Sequence, residues 1–60
     1  DDLREDVHRR IMRAYAEVGR RSDAVAQYHD CRHTLKAELG VEPSRETERL
    51  YQEVAGGVPG

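Results

Sequence analysis

Tryptophan and phenylalanine are absent from this 60-residue chain, and its only aromatic side chains besides three histidines are three tyrosines. A chain this short buries about 60% of the surface its unfolded form exposes, so its stability is marginal. With 37% hydrophobic and 37% charged residues, the composition favours an amphipathic helical unit over a self-sufficient core. A single cysteine excludes an intramolecular disulfide, and the pattern is not that of a secreted, cross-linked scaffold. No apolar run approaches a signal-peptide core or a membrane span, which gives the expectation of a cytoplasmic protein with no membrane partner. No glycine-rich phosphate loop and no alternating strand pattern occur. The chain opens at Asp1 without an initiator methionine, and reads as a piece of a longer protein whose other parts carry more of the function.

What is present is helical periodicity. Leu3, Val7, Ile11, Ala14, Tyr15 and Val18 recur at three- and four-residue spacing and predict a first helix. Glu5 and Asp6 fall in its first turn, where the helix dipole favours anions. Gly19 ends it, and Arg20 and Arg21 cross to a second helix with Ser22 or Asp23 as cap. Its stripe is Ala24, Val25, Tyr28, Cys31, Leu35 and Leu39. The stem of Arg32 is expected to lie along the stripe's edge beside Val25, with its head in water. A third, shorter helix follows Ser44 and places Thr47, Leu50, Tyr51 and Val54 on one face. The expected core is Val7, Ile11, Tyr15, Val18, Ala24, Tyr28, Cys31, Leu35, Leu39, Leu50 and Tyr51. Residues 1–55 thus form one three-helix unit, and 56–60, rich in glycine, read as a flexible tail. The fold class is all-α.

The run Glu38-Leu39-Gly40-Val41-Glu42-Pro43-Ser44 joins a helix stop directly to a helix start. Gly40 is placed to take the left-handed conformation that closes a helix, with Val41 folding back onto Leu35 or the stem of Lys36 in a Schellman stop. Pro43 cannot continue the second helix, and Ser44 can cap the third by accepting the amide proton of Glu46 or Thr47. The short link near Gly19 makes the first two helices an antiparallel hairpin. That hairpin leaves apolar flanks. The third helix covers part of them, and a preceding helical pair is expected to cover the rest, as in stacked repeats.

The order Ile11, Tyr15, Gly19, Ala24, Tyr28, Cys31 resembles the tetratricopeptide repeat, with departures at Met12, where a small residue is usual, at His8, and in the late position of Pro43. A wider resemblance covers roughly residues 2 to 54. It rests on Leu3-Arg4-Glu5-Asp6-Val7-His8-Arg9, Met12-Arg13-Ala14-Tyr15, Gly19-Arg20, Ala24, Gln27-Tyr28, Cys31-Arg32, Leu35, the Glu38 to Ser44 run, Glu46-Thr47 and Leu50-Tyr51. These residues look like the C-terminal end of the bacterial transcriptional activation domain, the TPR-like module of Streptomyces antibiotic regulatory protein family regulators. The resemblance implies a TPR-like hairpin plus a third packing helix. It also implies a protein-contacting role, with DNA read by another domain of the parent.

Plainer roles account for the residues that could carry chemistry. His29 and His33 share a helix face four residues apart, but Asp30 is one methylene shorter than the Glu of a zincin motif and no third ligand is placed. They read as solvated histidines beside a core cysteine. Cys31 lies on the apolar stripe, without the exposure or neighbouring base that a nucleophile needs. Ser22 and Ser44 are accounted for as caps. The expectation is therefore no catalytic residue, no cofactor and no metal.

Charge is uneven. From Arg4 to Arg21 six arginines stand against three acids, a balance of +3, and from Glu38 to Glu53 five glutamates stand against two arginines, a balance of −3. Arg9, Arg10 and Arg13 are expected on the outward side of the first helix as a candidate interaction surface. A net charge of −2 and the lack of a recognition helix argue against phosphate as its target. The function that the resemblance implies is a protein-interaction module of a bacterial transcriptional regulator. The alternatives are a TPR-like segment of another multidomain signalling protein, or direct nucleic-acid binding through the arginines of the first helix. Partners would be adjoining domains of the parent regulator, the transcription machinery, or a second copy meeting along Leu3, Val7 and Ala14.

Overall fold

The structure is a computed structural model that describes residues 5–56. Leu3 and residues 57–60 of the expected tail lie outside the described residues. The fold is all-α, with α1 spanning Glu5–Glu17, α2 Arg21–Leu39 and α3 Arg45–Gly56. Each helix packs on the other two. Gly56, expected in the tail, is the last residue of α3.

The turn between α1 and α2 is short because Gly19 adopts a φ of 78°, a region glycine enters without steric cost. The Arg20 N–H then reaches back to the Tyr15 carbonyl at 2.8 Å. This completes the turn early and moves the start of α2 ahead of the expected cap. Arg20 occupies the cap position without a side-chain cap bond, and Ser22 and Asp23 lie inside the first turn. Asp23 instead accepts a 2.7 Å hydrogen bond from Arg20 Nε. The helix α2 runs back along α1, packed through Met12, Ala24 and Tyr28 and joined by a 2.7 Å hydrogen bond between His8 Nδ1 and Gln27 Nε2.

The second corner follows its sequence closely. The helix α2 ends at Leu39, and Gly40 has φ 68° and ψ 25°. The Gly40 N–H donates to the Lys36 carbonyl at 3.0 Å, with a longer contact of 3.5 Å from Val41 N–H to the Leu35 carbonyl. That pattern is the single-bond left-handed stop rather than the Schellman form, and Val41 stays exposed. Pro43 is buried. Ser44 Oγ accepts the Thr47 N–H at 3.3 Å and caps α3.

A Cβ at Gly40 would meet nothing within 4 Å, so backbone conformation alone decides what fits there. Gly40→Val should cost more than about 1 kcal/mol in urea denaturation, because a β-branched residue resists the left-handed region. Gly40→Asn should lose least, since asparagine tolerates that region best after glycine.

The core is built from Met12, Ala24, Tyr28, Leu50 and Val54, flanked by Tyr15, Val25 and Tyr51. Cys31, Leu35 and Thr47 are also buried. Three expected core residues are not: Val7, Val18 and Leu39 are exposed. Met12, which falls outside the apolar stripe of the first helix, is fully buried instead. The cause is the third helix. It docks on the side of α1 that carries Glu5 and Arg9, and this turns Met12 inward and leaves the stripe through Val7 and Val18 at the rim. Stacked Tyr28 and Tyr51 rings, 4.0 Å between centroids, close the opposite side of α3 onto α2.

Candidate interaction surface

The three arginines of α1 do not form one outward patch. Arg9 turns inward, with 15% of its side chain exposed, so its expected place on the outward surface is corrected. Its Nη1 donates to Thr47 Oγ1 at 2.9 Å. It also lies 3.9 Å from Glu5 and 3.6 Å from Glu46. Residues 5 and 9 are one turn apart, so a single face of α1 presents an acid and a base together to the start of α3.

Glu5 completes the joint. One of its carboxylate oxygens accepts the Ser44 N–H at 2.7 Å and the Thr47 hydroxyl hydrogen bond. A free amide at a helix N-terminus is a ready partner for an anion, so Glu5 caps α3 from another helix. Burial pushes the Glu5 carboxyl upward, but the bonds from Thr47 and Ser44, together with the Arg9 charge, hold it below the usual carboxylate range. Sequence periodicity gives no sign of this role, because Glu5 already fits its own helix as a first-turn anion.

Arg10 and Arg13 do face solvent. Arg10 is 73% exposed and 4.0 Å from Asp6, a loose surface pair. Arg13 lines an open groove of about 630 Å³ with Glu17, Arg21, Glu53 and the apolar floor of Leu50 and Val54. Arg21 also donates to the Ala55 carbonyl at 3.4 Å, near the last turn of α3. Beside these charges runs the displaced apolar edge of α1: Val7, Ala14 and Val18 exposed, with Ile11 half-buried.

The remaining candidate groups are occupied by structure. The buried Cys31 thiol is pushed up to about 11 by burial, which keeps it protonated and a weak nucleophile. Burial, followed by the 2.7 Å hydrogen bond to Glu48, pushes the Tyr28 hydroxyl to about 12. His29 is exposed and packs edge-on against Tyr28 and Tyr51. His29 and His33 border a shallow concavity with Arg32, Lys36 and Glu42, where Glu42 bridges Arg32 at 3.4 Å and Lys36 at 3.2 Å. Among the described residues no group of three histidine, cysteine or acidic side chains is placed to hold a metal. No helix among them is long and apolar enough to cross a membrane.

Three packed helices, a polar clamp between α1 and α3, and an exposed apolar edge make up a helical segment in which the described residues assemble no reactive centre. The chain belongs to the bacterial transcriptional activator domain family, which matches residues 1–55. It is 40% identical over 52 residues to the regulatory protein AfsR of Streptomyces griseus, a match covering 87% of this chain. It spans 5% of the length of that relative. No solved structure matches it significantly. The family is one of transcriptional regulator domains, not of enzymes, so this segment has a regulatory role in transcription.

Proposed function

We propose that this chain is a protein-contacting segment of a TPR-like activation module, and that DNA is read elsewhere in the regulator that carries it. The asymmetry of its surface carries the reading. The outward positions of α3 are Arg45, Arg49 and Gln52, all exposed and polar, so that side suits the closed end of a helical stack. The α1 side presents Val7, Ile11, Ala14 and Val18 in a row, which suits a further helix. Phosphate binding is the weaker reading, because Arg9 is engaged with Glu5 and Thr47, and Arg10 and Arg13 are interspersed with Asp6 and Glu17.

Arg10→Gln with Arg13→Gln separates the readings. Both side chains are exposed, so helicity and melting should change little, within about 0.5 kcal/mol of stability. In a full-length regulator carrying the segment, sequence-specific DNA affinity should stay within about twofold at fixed salt while transcriptional activation falls. Loss of base-specific binding, with folding and oligomeric state unchanged, would move the function to the nucleic-acid alternative.

A further inference from the structure

The exposed side of α2 carries a basic stripe that neither the core nor the α1–α3 clamp uses. His29, Arg32, His33 and Lys36 stand at i, i+3, i+4 and i+7, so one face of the helix presents all four in a row. The neighbouring acids Asp30 and Glu38 fall on other sides of the helix. The stripe borders a concavity of about 310 Å³ that Glu42 also lines, from the corner between α2 and α3. Glu42 shows what the concavity selects. Its two carboxylate oxygens reach Arg32 Nε at 3.4 Å and Lys36 Nζ at 3.2 Å. The hydrogen bond from Lys36 holds this carboxyl below the usual carboxylate range. Both contacts are longer than the about 2.7–2.9 Å of a strong charge-assisted bond, and all three side chains are more than half exposed, so Glu42 is readily displaced. Two permanent cations facing one carboxylate leave a local excess of positive charge in a chain of net charge −2. Beside them the His29 ring packs edge-on against the half-buried Tyr51 ring, 6.0 Å between centroids, which gives the charges an aromatic shoulder.

We propose that this concavity receives an acidic segment of a partner protein, and that Glu42 is the built-in carboxylate which the partner displaces. The inference rests on the protein-contacting reading and names the chemistry of the contact. A partner carboxylate takes the place between Arg32 and Lys36. Further acceptors on the same segment meet His29 and His33, since a histidine ring offers at least one N–H donor in either tautomer. Charge complementarity of this kind selects the partner and its register. A nucleic-acid backbone is the poorer occupant. The stripe spans only about 10 Å along α2, Asp30, Glu38 and Glu42 flank it, and the net charge of the chain is negative.

An NMR titration of the isotope-labelled 60-residue chain with hexaglutamate, at fixed low salt, tests this, with hexaglutamine as the neutral control and the helicity of each variant checked by circular dichroism. Amide shifts should centre on residues 29–36 and Glu42 with hexaglutamate and be absent with hexaglutamine. Glu42→Gln should tighten binding about threefold, the scale of one exposed ion pair, because it removes the internal competitor. Glu38→Gln makes the same change in net charge on another side of α2 and should alter binding by less than about 1.5-fold. Arg32→Gln with Lys36→Gln should weaken it at least about fivefold. Equal tightening by Glu42→Gln and Glu38→Gln would overturn the proposal, because net charge and not the concavity would then set the affinity. Shifts centred on Arg10 and Arg13 would overturn it too. A short DNA duplex that binds residues 29–36 more tightly than hexaglutamate at the same salt would overturn it in favour of phosphate. The protein-contacting reading is decided separately, on activation measured in a full-length regulator.

Discussion

Met12→Ala is expected to unfold a large part of the population at room temperature. Met12 is fully buried at the meeting point of three helices, against Ala24, Tyr28, Leu50 and Val54. Removing a buried methionine side chain costs about 2–5 kcal/mol. A domain of this size rarely holds more than about 3–5 kcal/mol in total. Met12→Leu, which conserves volume, should cost less than about 1.5 kcal/mol. Val18→Ala, at a site 69% exposed, should stay within about 0.5 kcal/mol. Urea denaturation of the three variants decides the ranking. If Val18→Ala proved the more damaging, α1 would have to be rotated relative to its place in this fold.

The second large effect belongs to Glu5. Glu5→Ala removes the acceptor for the Ser44 N–H and the Thr47 hydroxyl, and takes the carboxylate from beside Arg9. Hydrogen bonds to a charged acceptor are lost while Arg9 keeps Glu46 at 3.6 Å, so the cost should be about 1.5–3 kcal/mol. Glu5→Gln keeps one acceptor oxygen and should lose less. The helix α3 should respond first, read as faster amide exchange from Arg45 to Leu50 than in α2. The same carboxylate sets an acid limit. Its folded pKa lies below the usual range, so the stability it adds is present above the unfolded pKa and fades as pH falls through the folded value. In the Glu5→Gln variant that part of the acid transition should be gone.

Local chemistry was legible in the sequence wherever one residue type decides one backbone event. Gly40 closes α2 in the left-handed region and Ser44 caps α3, as the Gly40-Val41-Glu42-Pro43-Ser44 run requires. The buried faces of α2 and α3 were also legible, because Ala24, Tyr28, Cys31, Leu35, Leu50 and Val54 sit centrally in their stripes. The orientation of α1 was not. Its apolar stripe centres on Val7, Ile11, Ala14 and Val18, but the polar joint of Glu5 and Arg9 with Ser44 and Thr47 pulls the neighbouring face inward. Hydrophobic periodicity is blind to such a joint, because Glu5 and Arg9 both score as surface residues. The signal available in sequence was the departure at Met12, a large residue where the repeat usually has a small one. The start of α2 was misplaced for a related reason: serine and aspartate suit a cap, yet the positive φ of Gly19 lets the helix begin before either.

The exposed seam of α1 leads most directly to function, and Val7→Glu with Val18→Glu tests it in a full-length regulator carrying this segment. Both positions are exposed in this segment, and circular dichroism and thermal melting select preparations of the variant that remain folded. Operator affinity and transcriptional activation are then measured on the same preparation. The protein-contacting role predicts that activation falls at least about tenfold while affinity for a single operator site stays within about twofold. Unchanged activation, or a loss of operator affinity that matches the loss of activation in a protein that remains folded, would contradict it.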